Sequence, residues 1–204
     1  MKKVIVLFIV ITLIPCFGFS QTADKFDYIS PFNEGFSAVK KGNQWAFINN
    51  QGTIVINFRD DLVLTETDNE NYPIFKNGRS IISQEKDGIS YFGYIDTSGK
   101  TVIEPQYLNA TNFDKEFAIV IKIHKNLLGK NDVLNKDVVR YESSEVLIDF
   151  SGEISEMLTE AKGVVLSKNY LKNSPKITSK IISENLVVTL GKDNKWEVKR
   201  IKTD

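Results

Sequence analysis

Two carboxylates, Asp96 and Asp149, are the residues whose types and placement could do chemistry. They admit a catalytic reading as paired carboxylates; a glycan hydrolase, for one, needs two carboxylates facing each other ~5–10 Å apart across a cleft. Each also opens a short turn sequence that occurs three times: Asn49-Asn50-Gln51-Gly52, Asp96-Thr97-Ser98-Gly99 and Asp149-Phe150-Ser151-Gly152, always after isoleucine (Ile48, Ile95, Ile148). Asn or Asp at the first position accepts a hydrogen bond from the backbone N–H two residues on. Glycine at the fourth takes a positive φ without the ~1–2 kcal/mol strain that a Cβ adds. A type I turn followed by a left-handed residue is a common way to join antiparallel strands. Turn chemistry accounts for all six residues, so Asn49, Gly52, Asp96, Gly99, Asp149 and Gly152 are read as structural turns.

Other catalytic templates fail. His124 is the only histidine, which excludes a paired-histidine zinc motif. A serine–histidine–acid arrangement around it lacks a marked nucleophile. Neither a Gly-x-Ser-x-Gly elbow nor a glycine-rich phosphate loop leading into a helix is present. Glu66, Asp68 and Glu70 alternate as calcium ligands do, but the glycine and closing glutamate of a calcium loop are missing. No catalytic residue, metal or cofactor is assigned, and the chain is not read as an enzyme.

The elements that carry the turns repeat as well. Phe32-Asn33-Glu34-Gly35-Phe36-Ser37-Ala38-Val39 lines up with segments beginning at Phe75 and Phe113, and more weakly with one beginning at Leu158. The starts are 43, 38 and 45 residues apart, a period typical of arrays and propellers. The fourth copy never reaches its glycine turn and ends in Asp193-Asn194-Lys195-Trp196, which echoes Gly42-Asn43-Gln44-Trp45. Stretches 36–40, 45–49, 53–57, 91–95, 101–104, 117–123, 145–149, 185–190 and 196–201 are rich in β-branched and aromatic residues and predict strands. One helix is predicted from Ile154, Met157, Leu158 and Ala161, at spacing i, i+3, i+4, i+7, with Gly163 after it.

The best copy, Phe92-Gly93-Tyr94-Ile95-Asp96-Thr97-Ser98-Gly99-Lys100-Thr101-Val102-Ile103-Glu104-Pro105-Gln106-Tyr107, resembles the WG-repeat (KWG) family of bacterial proteins. The first copy has Trp45-Ala46 for Trp-Gly, and the third lacks the pair. The likeness covers roughly residues 28–154. The family shares an architecture and no reaction, so it implies fold alone. The expected fold is all-β: an array of antiparallel hairpin or meander repeats, with a partial propeller, a barrel-like roll and an open array all left as closures.

Lys2 and Lys3, an apolar run from Val4 to Ile14, and small residues before Gln21 read as a secretory signal peptide over residues 1–20, leaving 21–204 as one repeat domain. Cys16, the sole cysteine, offers a lipidation site that Pro15 fits poorly; membrane attachment is expected only through it. Cleavage leaves 24 basic against 26 acidic residues and no disulfide, and a near-neutral chain without a basic stripe is no nucleic-acid binder. The expected place is the periplasm or the medium.

Phe32, Trp45, Phe47, Phe92, Tyr94 and Tyr107 would bind sugars if exposed and fill the core if not. The distance from the first strand to the second lengthens along the chain: 9 residues from Val39 to Ile48, 13 from Ile82 to Ile95, 28 from Val120 to Ile148, and 31 from Val165 to Trp196. Insertions in repeat folds project from one face and carry binding surfaces, although longer hairpin arms would give the same lengths. They supply the candidate surface: His124, Lys125, Leu128, Arg140, Tyr141 and Tyr170. The leading expectation is a protein-binding or assembly module at the cell envelope; the alternative is a glycan-binding or glycan-hydrolysing protein.

Overall fold

All three Asx turns close hairpins in the same way in the computed structural model, which describes residues 25–67, 70–132 and 134–201. The predicted leader over residues 1–20 with Cys16, and Asp68, lie outside the described residues. Asn49 Oδ1 accepts the N–H groups of Gln51 and Thr53, both at 3.0 Å. Asp96 Oδ1 accepts those of Ser98 and Lys100 at 2.9 and 3.1 Å, and Asp149 Oδ1 those of Ser151 and Glu153 at 2.8 and 2.9 Å. Gly52, Gly99 and Gly152 have φ of 76, 82 and 85°.

These turns organise three units. The first holds β1 (Tyr28–Ile29), β2 (Phe36–Lys41), β3 (Gln44–Asn49) and β4 (Ile54–Arg59), paired in that order. A small hairpin, β5 (Thr65–Glu66) and β6 (Asn71–Tyr72), precedes the second unit of β7 (Arg79–Lys86), β8 (Ile89–Asp96) and β9 (Thr101–Tyr107). The third has β10 (Ala118–Asn131) and β11 (Lys136–Ile148), with β12 (Ile154–Met157) and β13 (Lys162–Gly163) sharing the outer edge of β11. A last sheet holds β14 (Lys180–Ser183), β15 (Leu186–Leu190) and β16 (Trp196–Arg200). Among the described residues every pairing is antiparallel, none is helical, and no sheet closes into a barrel.

Two expectations fail. The helix over 154–161 is strand β12 followed by an irregular segment: the chain leaving the Asp149 turn pairs with the open edge of β11, as its counterparts do in the first two units. That ladder satisfies the backbone and outranks the apolar spacing; Ile154 and Met157 stay exposed and only Leu158 is buried. Nor does the stretch starting at Leu158 supply the first arm of a hairpin. The strand facing Trp196 is β15, so residues between Val165 and Trp196 form a loop, β14 and β15 instead of two long arms.

Consecutive units share side chains. A Cβ on Gly99 would lie 3.3 Å from Ile56 of the first unit, and one on Gly152 would lie 3.4 Å from Ile103 of the second. Asn33 Nδ2 donates to Phe75 O at 2.6 Å and Asn77 Nδ2 to Phe113 O at 3.0 Å, repeating one link between neighbours. Trp45, Phe47 and Ile56 pack with Phe75, Ile82 and Ile95; Tyr94, Ile103 and Tyr107 pack with Phe113, Val120 and Ile148. Gly99→Val is expected to cost ~1–3 kcal/mol in urea titration, because a β-branched residue is forced to positive φ against Ile56.

Register shows why the array stops. Phe47 faces Ile56 and Tyr94 faces Ile103, whereas Leu147 faces Glu156. The apolar seat that receives the next glycine turn is a carboxylate in the third unit. The last sheet docks elsewhere, through Val187 and Ile201 onto Phe117, Ile119, Leu147 and Leu158.

Candidate functional site

The insertion of the third unit is a pair of hairpin arms, β10 and β11, in continuous register from Ala118↔Ile148 to a bulge at Leu128. Alternation puts Ile119, Ile121, Ile123, Lys125 and Leu127 on one face with Tyr141 and Val139, and Lys122, His124 and Asn126 on the other with Glu142 and Arg140. The candidate residues are therefore divided: Lys125 and Tyr141 are opposed on one face, His124 and Arg140 lie on the other, and Leu128 is the bulge residue. The near half of the apolar face is covered, since Ile121 and Ile123 pack with Tyr91, Leu108, Leu166 and Leu171. The distal half is bare: Leu127, Leu128 and Leu134 are 67%, 57% and 65% exposed. Tyr170, 75% exposed, sits next to the buried Leu171 and so beside the base of this ribbon.

His124 Nε2 lies 2.8 Å from Ser144 Oγ across the strands. Ser144 is buried, and Glu142, opposite His124, receives Asn126 Nδ2 at 2.7 Å and faces Arg140 at 3.7 Å. The pair ties the two arms at the ribbon base. Glu70 accepts the Tyr28 hydroxyl, which is pushed up to about 12 chiefly by that bond. Among the described residues no group of three potential metal ligands occurs.

Sequence reasoning missed a groove of about 800 Å³ between the 143–145 edge of β11, residues 157–162 and the last sheet. Glu145 is its buried anchor. Its carboxylate accepts Thr178 N, Thr178 Oγ1 and Ser179 N, each at 2.8 Å, and its own N–H donates to Thr159 Oγ1 at 2.9 Å. Around the rim Glu160 pairs with Lys192 at 2.5 Å, and Lys199 Nζ donates to Leu158 O at 2.7 Å. The bond from Lys192 holds Glu160 below the usual carboxylate range. These charges are engaged with protein partners, which leaves Glu145 and Glu160 poorly placed as a free acid and base.

The turn carboxylates are likewise engaged. The Ser98 hydroxyl, then the Ser98 and Lys100 N–H groups and the charge of Arg79, hold Asp96 low. Burial pushes Asp149 up, but the Ser151 hydroxyl and the N–H groups of Glu153, Ser151 and Gly152 outweigh it and the net shift is downward. Folded-state values below the unfolded ones mean that the stabilisation is complete above the unfolded value, ~3.9, and is lost as pH falls through the folded values. The double substitution Asp96→Asn, Asp149→Asn is therefore expected to flatten the loss of stability on acidification below about pH 4. Fold retention at neutral pH is also expected, because Asn49 already makes the same turn with an amide. Urea titrations at neutral and acid pH check both.

Among known families, the model described as WG containing repeat matches residues 25–45 and 92–122, which include the first-unit Trp45 and the whole of β9 with its approach to β10. The chain carries WG-containing repeats over those two stretches. No curated protein and no solved structure matches it.

The WG pair stands four and three residues before each Asx turn. It reads Trp45-Ala46, Phe92-Gly93 and Glu145-Val146 in the three units. A Cβ on Gly93 would lie 2.3 Å from Ile103 O, 2.7 Å from Pro105 N and 2.8 Å from Glu104 C, so the glycine is required by the backbone opposite. In the first two units the preceding aromatic joins the core. In the third, Glu145 takes that place and turns a packing position into a hydrogen-bonded clamp on residues 178–179. Counting back four residues from Asp149 would have singled it out from the sequence. The other WG-repeat aromatics behave as core: Trp45, Phe47, Tyr94 and Tyr107 are buried, Phe92 packs against the second core, and Phe32 alone is exposed. Burial raises the Tyr94 hydroxyl well above its ordinary value, and its O–H donates to Thr111 O at 2.7 Å.

Proposed function

We propose that this chain is an exported, non-catalytic interaction module that binds a protein partner at the cell envelope through the β10–β11 ribbon. The observation that carries the reading is the bare apolar end of that ribbon, where Leu127, Leu128 and Leu134 stand clear of every core cluster. Such exposed apolar surface on a soluble fold marks an interaction site. The basic, apolar leader supports export, and the ribbon supports a partner; both readings stand together.

The test is capture from envelope extract by tagged full-length protein, with crosslinked peptides mapped by mass spectrometry. The wild type is expected to enrich one partner through crosslinks within residues 122–144. The triple substitution Leu127→Ser, Leu128→Ser, Leu134→Ser is expected to lose it with unchanged melting. Equal capture by both proteins, or none by the wild type, contradicts the proposal.

A further inference from the structure

Among the described residues, the outer edge of β10 is covered only along its first half. Thr111 N donates to Ile119 O, Leu108 N to Ile121 O, and Ile121 N to Asn109 O, each at 2.9 Å. Ile119 N is bonded at 3.0 Å to Thr111 Oγ1. Residues 119 and 121 thus point their backbone groups outward. Alternation makes 123, 125 and 127 do the same. Among the described residues, no backbone bond from outside the ribbon reaches those three. Ile123, Lys125 and Leu127 therefore present a row of unpaired N–H and C=O groups beside the covered stretch, which is the template for strand addition.

Charge selects the occupant. β10 carries Lys122, His124, Lys125 and Lys130 and no acidic residue. Two such edges laid together would set like charges side by side, which disfavours a second copy. A bilayer is disfavoured by Asp132 and Asp137, which put carboxylates at the ribbon tip among the leucines. An extended partner strand would place alternate side chains beside Ile123, Lys125 and Leu127 on one face and beside Lys122 and His124 on the other, with Lys125 adding a cation between the two apolar positions. Resting on the protein-binding reading above, we propose that the free edge of β10 over residues 123–127 receives an extended acidic segment of a protein partner by antiparallel strand addition. The segment alternates apolar with acidic side chains.

Proline at 125 separates this from simple charge attraction. Lys125 N–H points outward, so Lys125→Pro removes a bond to the incoming strand and none from the β10–β11 ladder. The probe is a capped peptide alternating glutamate with valine, titrated calorimetrically into the full chain, with amide hydrogen exchange read at 123, 125 and 127. Saturable binding is expected, with protection of those amides and a loss of affinity of about tenfold or more in Lys125→Pro. The variant Lys122→Glu, Lys125→Glu, Lys130→Glu, which leaves the backbone untouched, is expected to abolish binding and covers the case of a misfolded proline variant. Absence of binding, undiminished affinity in Lys125→Pro, or equal affinity for a lysine–valine peptide overturns the proposal. So does retention on phosphatidylglycerol vesicles without peptide binding. If the envelope partner is held equally by wild type and Lys125→Pro but lost by the leucine variant, strand addition falls and the interaction module stands; no partner for the wild type overturns both.

Discussion

Gly93→Ala is expected to destabilise the protein by about 3 kcal/mol, the upper end of what overpacking costs. A single methyl does this because of the opposing bulge. Phe92 faces Tyr107 and Tyr94 faces Ile103, so three residues, Glu104, Pro105 and Gln106, are gathered opposite Gly93 alone. Pro105 has no N–H to give to a ladder and belongs in such a bulge. The first unit bears Ala46 at this place because its bulge is smaller: Trp45 faces Arg59 and Phe47 faces Ile56, which leaves two residues opposite Ala46. Urea unfolding of Gly93→Ala checks the argument. Ala46→Gly is the control, expected to lose only ~0.5–1 kcal/mol through chain entropy.

Glu145→Ala is expected to release the last sheet. The substitution leaves Thr178 N–H, Thr178 O–H and Ser179 N–H without their acceptor, at a site where Glu145 and Ser179 are buried and Thr178 is exposed. Bonds to a charged group contribute ~1.5–3 kcal/mol each and are not additive, so a local loss of about 3 kcal/mol is expected. Hydrogen exchange resolves where it falls. Amides of β15 should exchange faster, while those of β2, β3, β7 and β8 keep their protection. Uniform acceleration over the chain would mean that the last sheet and the three units unfold as one body.

Much of this fold was legible because local chemistry and global pairing agree. Each Asx turn demands Asn or Asp and then glycine whatever lies around it, so Asn49, Asp96 and Asp149 could be placed before any pairing was known. Strands were legible through β-branched and aromatic residues. The predicted helix failed because periodicity over four residues is weak beside an open strand edge: β12 follows a turn that delivers it onto β11. The site was less legible. Length alone could not tell hairpin arms from a projecting loop between 122 and 144, nor show that β10 leaves its edge free beyond Ile121. Glu145 was hidden by its chemistry, because a carboxylate in an aromatic position reads as a degenerate repeat until its hydrogen-bond partners at 178 and 179, more than thirty residues away in sequence, are seen. Glu156 carries the same lesson for termination: one charge at the seat of Ile56 and Ile103 ends the array, and only register identifies the seat.

The proposed module separates scaffold from function: three turn-closed units hold a ribbon whose distal end they do not need. Excising residues 127–139 and joining Asn126 to Arg140 through Asn-Gly tests it most directly, since those two residues form a hydrogen-bonded pair suited to a two-residue turn. The measurement is hydrogen exchange on the excised protein beside envelope capture. Unchanged protection through β2, β3, β7, β8 and residues 118–121 is expected, together with loss of the partner. A protein that unfolds, or one that keeps its partner without the distal apolar end of the ribbon, would overturn this separation.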